Sequence, residues 1–196
     1  MKNPGVHVFA KWVLLTVLVQ VAVAAETKVP LLFSGGHETD RRDHGRPVML
    51  VAAALEVKTE VFREAFSGVT PSRNGPPSDE EARRNKAALM KVLQPLGVTD
   101  ERLNEVSNRY RYQPQKGQLW THTEATGHAV VENGEIKEIV VDEPGSGYST
   151  PPTVTVEGMA KVQLKVTLKF CKDLNTNGSV ASVTVAAAEA PKENRN

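Results

Sequence analysis

The sequence predicts an α+β protein: an N-terminal four-helix domain of two helical hairpins, followed by a small antiparallel β domain. Three observations predict it. Apolar residues recur at helical spacing up to about residue 112 and at the strand period of two from residue 128 onward. Helix-capping signals stand in the first part, at Ser78 and Thr99. In the second part, Asn133-Gly134 and Asn177-Gly178 each separate two runs of alternating β-branched residues.

Taken in order, residues 1–24 read as a secretory signal peptide. Lys2 and Lys11 give a positive leader, residues 12–23 are apolar apart from Thr16 and Gln20, and Ala22-Val23-Ala24 is a small-residue cleavage site. The apolar run is shorter than the ~20 residues a membrane span needs. A secreted or periplasmic chain is expected, free of the membrane once cleaved. The leader holds two of the 24 Lys and Arg, leaving 22 against 23 Asp and Glu. Such a balance argues against a nucleic-acid partner, which needs a basic surplus to displace counterions. Cys171 is the single cysteine, so no intramolecular disulfide forms; it reads as a small buried hydrophobe in a strand.

Residues 25–112 make the helical domain. Residues 25–33 are a short lead-in and 34–46, SGGHETDRRDHGR, a polar loop. Pro47 suits the first turn of a helix over 48–55, and residues 59–67 form a second helix with Val61, Phe62, Ala65 and Phe66 on one face. A Pro/Gly-rich loop spans 70–77. Ser78 and Glu81 then form a capping box for a third helix ending near Pro95, and Thr99 caps a fourth carrying Leu103, Val106 and Tyr110. Leu55-Glu56-Val57 with Glu60 and Glu64 matches Leu96-Gly97-Val98 with Glu101 and Glu105, a weak repeat that supports two antiparallel hairpins.

Residues 113–127 are a transition loop. Tyr110, Tyr112 and Trp120 lie in or beside it and read as cover for the seam between the two parts, in preference to an exposed aromatic surface for a glycan or peptide. The β domain, 128–188, holds strands at 128–132, 135–141, 153–157, 161–170 and 179–187, and residues 189–196 read as a disordered charged tail. Its organising stretch is 142–158, DEPGSGYSTPPTVTVEG. Gly145 and Gly147 permit a sharp turn, Tyr148 packs over it, and Pro151 and Pro152 hold the chain extended into Thr153-Val154-Thr155-Val156.

Residues 129–158, with NG-x-I/V-x-x-I-x-V followed by PGSGYSTPPTVTV, resemble a β module that recurs in bacterial secreted and surface proteins and in phage tail proteins. Residues 166–185 give a second, degenerate copy without the Gly-Tyr-Pro turn. The resemblance implies a structural or adhesive role and brings no catalytic residues. With its GGHETDRRDHGRP stretch, the helical half resembles exported bacterial proteins of the planctomycete sort, to which no activity attaches.

The chemistry-bearing stretch is the polar loop. His37, Glu38, Asp40, Asp43 and His44 put two imidazoles and three carboxylates within eight residues, the ligand types of a divalent transition metal. His37, Asp40, Asp43 and His44 are the expected metal set if the loop binds one. Their spacing is not that of H-E-x-x-H, and Arg41 and Arg42 oppose a cation. The competing expectation is a solvated loop whose charges pair locally. His122 and His128 flank the transition near Trp120 and Glu124 and would complete a site with the loop if the two parts pack face to face. No Gly-x-Ser-x-Gly elbow occurs, and Gly145-Ser146-Gly147 precedes no helix, so neither a serine nucleophile nor a phosphate loop is expected.

Together these readings favour a non-enzymatic structural or interaction module of the periplasm or cell surface. Its partner would be a protein or cell-envelope component, and no organic cofactor is expected. The alternative is a metal-binding or metal-dependent hydrolytic protein using the His37–His44 loop.

Overall fold

The computed structural model describes residues 26–70, 77–112 and 117–186. The leader at 1–24, the tail at 189–196, most of the Pro/Gly-rich loop and part of the transition loop therefore lie outside the described residues. Among the described residues no helix is long and apolar enough to cross a membrane.

The chain is α+β. In order it runs β1 (Thr27–Ser34), α1 (Val48–Ala54), α2 (Thr59–Ser67), α3 (Asp79–Leu93), α4 (Asp100–Arg109), β2 (Thr126–Glu132), β3 (Glu135–Glu143), β4 (Thr153–Val156), β5 (Leu164–Lys169) and β6 (Ser179–Val185). The helices start where their caps require. Ser78 Oγ accepts from the Glu81 amide while the Glu81 carboxylate accepts from the Ser78 amide, a complete capping box. Thr99 Oγ1 accepts from the Arg102 amide at the head of α4.

The two repeated turns stop their helices in the same way. Glu56 and Gly97 both adopt left-handed φ, 57° and 88°. Behind them the Val57 amide donates to the Ala52 carbonyl at 3.0 Å, and the Val98 amide to Leu93 at 3.3 Å. Both are Schellman closures, so the weak sequence repeat corresponds to repeated local geometry. In packing, α2 lies against α1 and α3, and α4 reaches α1.

The strands form an antiparallel sheet of order β3-β2-β1-β4 and a separate β5-β6 hairpin. The sheet curls so that β5 meets β4 and β6 meets β3. Leu31, Ala129, Val154, Val156, Val166, Val180 and Val183 fill the space enclosed. Asn133 and Gly134, both at positive φ, make the tight turn between β2 and β3.

The lead-in expected at 25–33 is instead β1, inside the sheet. Pro30 argues against a paired strand because it has no amide to donate. The register shows how it is accommodated: residues 27–30 pair with β2 and residues 31–34 with β4, so Pro30 sits where the pairing changes partner. Leu31 faces inward, while Leu32 is 54% exposed, the alternation of a strand with one buried face.

The helical core extends onto the β part. Tyr110 and Trp120 are buried with Leu50, Phe62, Leu93 and Val106, and Phe170 and Leu174 from the β5–β6 connection pack on the same cluster. Trp120 Nε1 donates to the Gly147 carbonyl at 2.8 Å. Asn177 is fully buried: its Nδ2 donates to the Leu50 carbonyl and meets Tyr110 Oη, and its Oδ1 accepts from the Cys171 amide. A buried amide with each contact satisfied locks the hairpin onto α1 and α4. The sequence shows Asn177 only as a turn residue. Cys171 lies just past β5 and is half-buried, where a strand position was expected.

Candidate metal centre

The polar loop after β1 is held by the organising turn. Gly147 has φ 83°, and a Cβ there would stand 2.8 Å from His122 Cβ and 2.9 Å from the Thr121 carbonyl oxygen. Only glycine fits both the conformation and the contact. Beside it, Thr123 and Ser146 exchange two backbone hydrogen bonds of 2.9 Å, which fixes residues 121–125 against the turn. From the other side, the Ser149 amide donates to the Gly36 carbonyl at 2.9 Å and Ser149 Oγ donates to the Glu38 carbonyl at 2.6 Å. Tyr148 is fully buried between these segments, with its hydroxyl accepting from the Ala125 amide and donating to Glu124 Oε2 at 2.8 Å. Pro152 is buried under the loop and Pro151 is exposed. The turn is a clamp that brings residue 37 to residues 122–124.

Within that clamp His37, His122 and Glu124 offer three ligand atoms that all lie within 4.8 Å of one another. The His37 ring is 4.4 Å from that of His122 and stacks on Tyr148 at 5.2 Å with planes 27° apart. His37 Nε2 is buried and has no hydrogen-bond partner. A buried polar atom without a partner carries a desolvation cost that a bound cation would remove. His122 Nδ1 lies 2.9 Å from the Trp120 carbonyl, which accepts only, so this nitrogen carries the proton and the neutral ring presents its lone pair at Nε2. That Nε2 is 3.6 Å from Glu124 Oε1.

Outer contacts orient two of the three groups. The Trp120 carbonyl sets the His122 tautomer and the Tyr148 hydroxyl holds one Glu124 oxygen, leaving the other toward His122. Burial first, and the Glu124 carboxylate beside it, push the Tyr148 hydroxyl up to about 12, so it remains a donor. Burial and the His122 imidazole hold His37 below its ordinary value near 6.5, with Glu124 and Glu38 opposing. His37 is therefore neutral at pH 7, the form that ligates a metal. The side chains of His122 and Glu124 are 31% and 58% exposed, so the cluster opens to solvent on one side.

The rest of the expected loop set lies elsewhere. Asp40 takes both of its oxygens to Arg42, which holds its carboxyl well below the usual range. Asp43 is buried and bound in a two-point pair by Arg63, at 2.7 and 2.8 Å. His44 closes the short 3₁₀ turn Arg41–Asp43 in a left-handed conformation. Asp40, Asp43 and His44 thus do not join His37, and the two carboxylates are held by arginines instead. Glu38 accepts from the Thr150 hydroxyl and the Gly36 amide, contacts that lower its pKa and tie the loop to the turn. His128 pairs across the sheet with Asp142 at 2.9 Å, away from the cluster. Tyr110, Tyr112 and Trp120 line the shared core and offer no ligand platform.

His122, expected to complete a site with the loop if the two parts meet, does reach His37, and Glu124 joins it; neither belongs to the contiguous His37–His44 set. Their signal was the two-residue spacing, which in an extended segment places both side chains on one face. No protein-family model, curated protein or solved structure matches the chain.

Proposed function

We propose that this protein is an exported structural or interaction module that binds a divalent transition metal, Zn²⁺ by ligand type, through His37, His122 and Glu124. The observation that carries the proposal is the convergence of three ligand atoms within 4.8 Å around a buried, unpartnered His37 nitrogen. Two imidazoles and one carboxylate are a familiar donor set for such a metal. Zn–N and Zn–O bonds of about 2.0–2.2 Å put tetrahedral ligand atoms about 3.4 Å apart. The His122–Glu124 separation of 3.6 Å already approaches this, and the remaining closure falls to the His37 loop.

The metal would join the loop after β1 to the segment between α4 and β2, and so pin the seam between helices and sheet. The exposed side of the cluster leaves a coordination position for water or for a partner's side chain. The likeness of residues 129–158 to a secreted and surface β module supports a scaffold or adhesive role. The grouping of the four helices as two hairpins in one unit belongs to the same proposal. Export rests on the leader at 1–24, and a fusion of residues 1–30 to a reporter active only outside the cytoplasm tests it; a silent reporter with full-length fusion recovered from the cytosol refutes it.

The test of metal binding is a thermal melt of the mature chain. Saturating Zn²⁺ at about 100 times its dissociation constant adds about 2.7 kcal/mol to stability. The melting temperature rises accordingly, falls back with chelator, and does not respond in His122→Ala. A wild-type melt indifferent to Zn²⁺ and to chelator contradicts the proposal.

A further inference from the structure

A cavity of about 700 Å³ opens between the 3₁₀ turn Arg41–Asp43 and α2, lined by none of the residues of the metal cluster. Its volume falls within the roughly 300–1,000 Å³ of small-molecule sites. Val48, Phe66 and Val69 contribute an apolar wall, and Arg42, Arg46 and Arg63 contribute cations. The three arginines are not equivalent. Arg42 is paired with Asp40, and Arg63 with Asp43 and Glu60. Among the described residues Arg46 has no carboxylate within ion-pair distance. Among the described residues the one hydrogen bond of its guanidinium runs from Nη1 to the Asp43 backbone carbonyl at 3.3 Å.

The Arg46 guanidinium carbon lies 4.1 Å from the centre of the Phe66 ring, a cation–π contact. Burial draws it below the ordinary guanidinium value, with the Asp43 charge opposing. It remains fully protonated, because guanidinium does not lose its proton at physiological pH. A half-buried, planar cation with no carboxylate in ion-pair contact among the described residues, at the edge of an apolar hollow, is matched by one chemistry. The ligand must carry a single planar anion for the guanidinium fork and a hydrocarbon body for the wall.

We propose that this cavity binds a small apolar monocarboxylate, its carboxylate on Arg46 and its hydrocarbon against Val48, Phe66 and Val69. The site shares no ligand with the metal cluster, and its occupancy is independent of it.

Isothermal titration of the mature chain with hexanoate tests this, with hexanamide as the neutral counterpart and acetate as the anion without a tail. Hexanoate should bind at least about tenfold more tightly than hexanamide, the scale of a hydrogen bond to a charged group, and at least about tenfold more tightly than acetate, the scale of burying two or more methylenes. Arg46→Gln should abolish the preference for hexanoate over hexanamide, and Arg46→Lys should retain only part of it. His37→Ala should bind hexanoate like the wild type, which separates this site from the metal proposal. Hexanamide or acetate equalling hexanoate in the wild type overturns the assignment, as does folded wild type that takes up no hexanoate at millimolar concentration. These wild-type comparisons decide the matter even if Arg46→Gln does not fold.

Discussion

The polar loop after β1 divides into two stretches of similar composition and opposite fate. Residues 35–38 lie on the organising turn, with His37 stacked on Tyr148 and its Nε2 unpartnered. Residues 40–46 lie on the helices, where Asp40 and Asp43 are held by Arg42 and Arg63. Both stretches carry an imidazole and a carboxylate. What separates them is the neighbours they meet: aromatic rings and a second imidazole from elsewhere in the chain for the first, and guanidinium groups for the second, Arg42 from within the stretch and Arg63 from α2. Ligand-type residues are free to take a metal only where no cation already occupies their lone pairs.

The strongest way to sharpen the contrast is to remove the cation from the helical side. Arg63→Met leaves Asp43, whose side chain is 4% exposed, without its two-point partner. Breaking a buried pair in this way costs roughly 3–5 kcal/mol. Urea unfolding should show a loss of that order, while the Zn²⁺ response, which belongs to the other stretch, persists in the folded fraction. A loss below about 1 kcal/mol would place the pair in the class of surface ion pairs.

The next effect is on the turn side. Gly147→Val forces a β-branched residue to φ 83° and drives its Cβ into His122. Strain of this kind costs on the order of 1–3 kcal/mol. Here stability and metal response should fall together, because the displaced backbone carries His122 and sits beside Glu124. A variant that loses stability yet keeps the full Zn²⁺ shift would detach the turn from the site.

The smallest effect is in pH. His37 titrates below its ordinary value near 6.5 in the folded chain. Above about pH 6.5 it is neutral in both folded and unfolded states, so its contribution is fully present. As pH falls below 6.5 the unfolded chain protonates first, and stability declines until the folded pKa is passed. Urea midpoints measured from pH 7.5 downward in the presence of chelator should show this decline, flattened in His37→Phe. An unchanged slope in that variant would assign the acid sensitivity to other groups.

The same contrast explains what could be read in advance. The helices and their caps were legible because Ser78 and Glu81, or Thr99 and the Arg102 amide, lie three residues apart and settle their geometry locally. The turn at Gly147 and Tyr148 was legible for the same reason. β1 was not, because Pro30 argues locally against a strand and is admitted only by a change of partner between β2 and β4. His37 was legible as a ligand type, but its true companions are 85 and 87 residues further on, at His122 and Glu124. Asp43 looked like a ligand because nothing in the loop reveals Arg63 on α2. Residue type is a local property, and partnership is set by the fold.

On the proposed reading His37 serves the turn side of the loop and not the His37–His44 stretch as a whole. Equilibrium dialysis of the mature chain against Zn²⁺, with metal content measured by elemental analysis, tests it most directly. About one Zn²⁺ per wild-type chain is expected at saturation, the same in His44→Ala, with loss in His37→Ala and His122→Ala. Binding that disappears in His44→Ala and survives in His122→Ala would return the site to the contiguous loop and contradict the account.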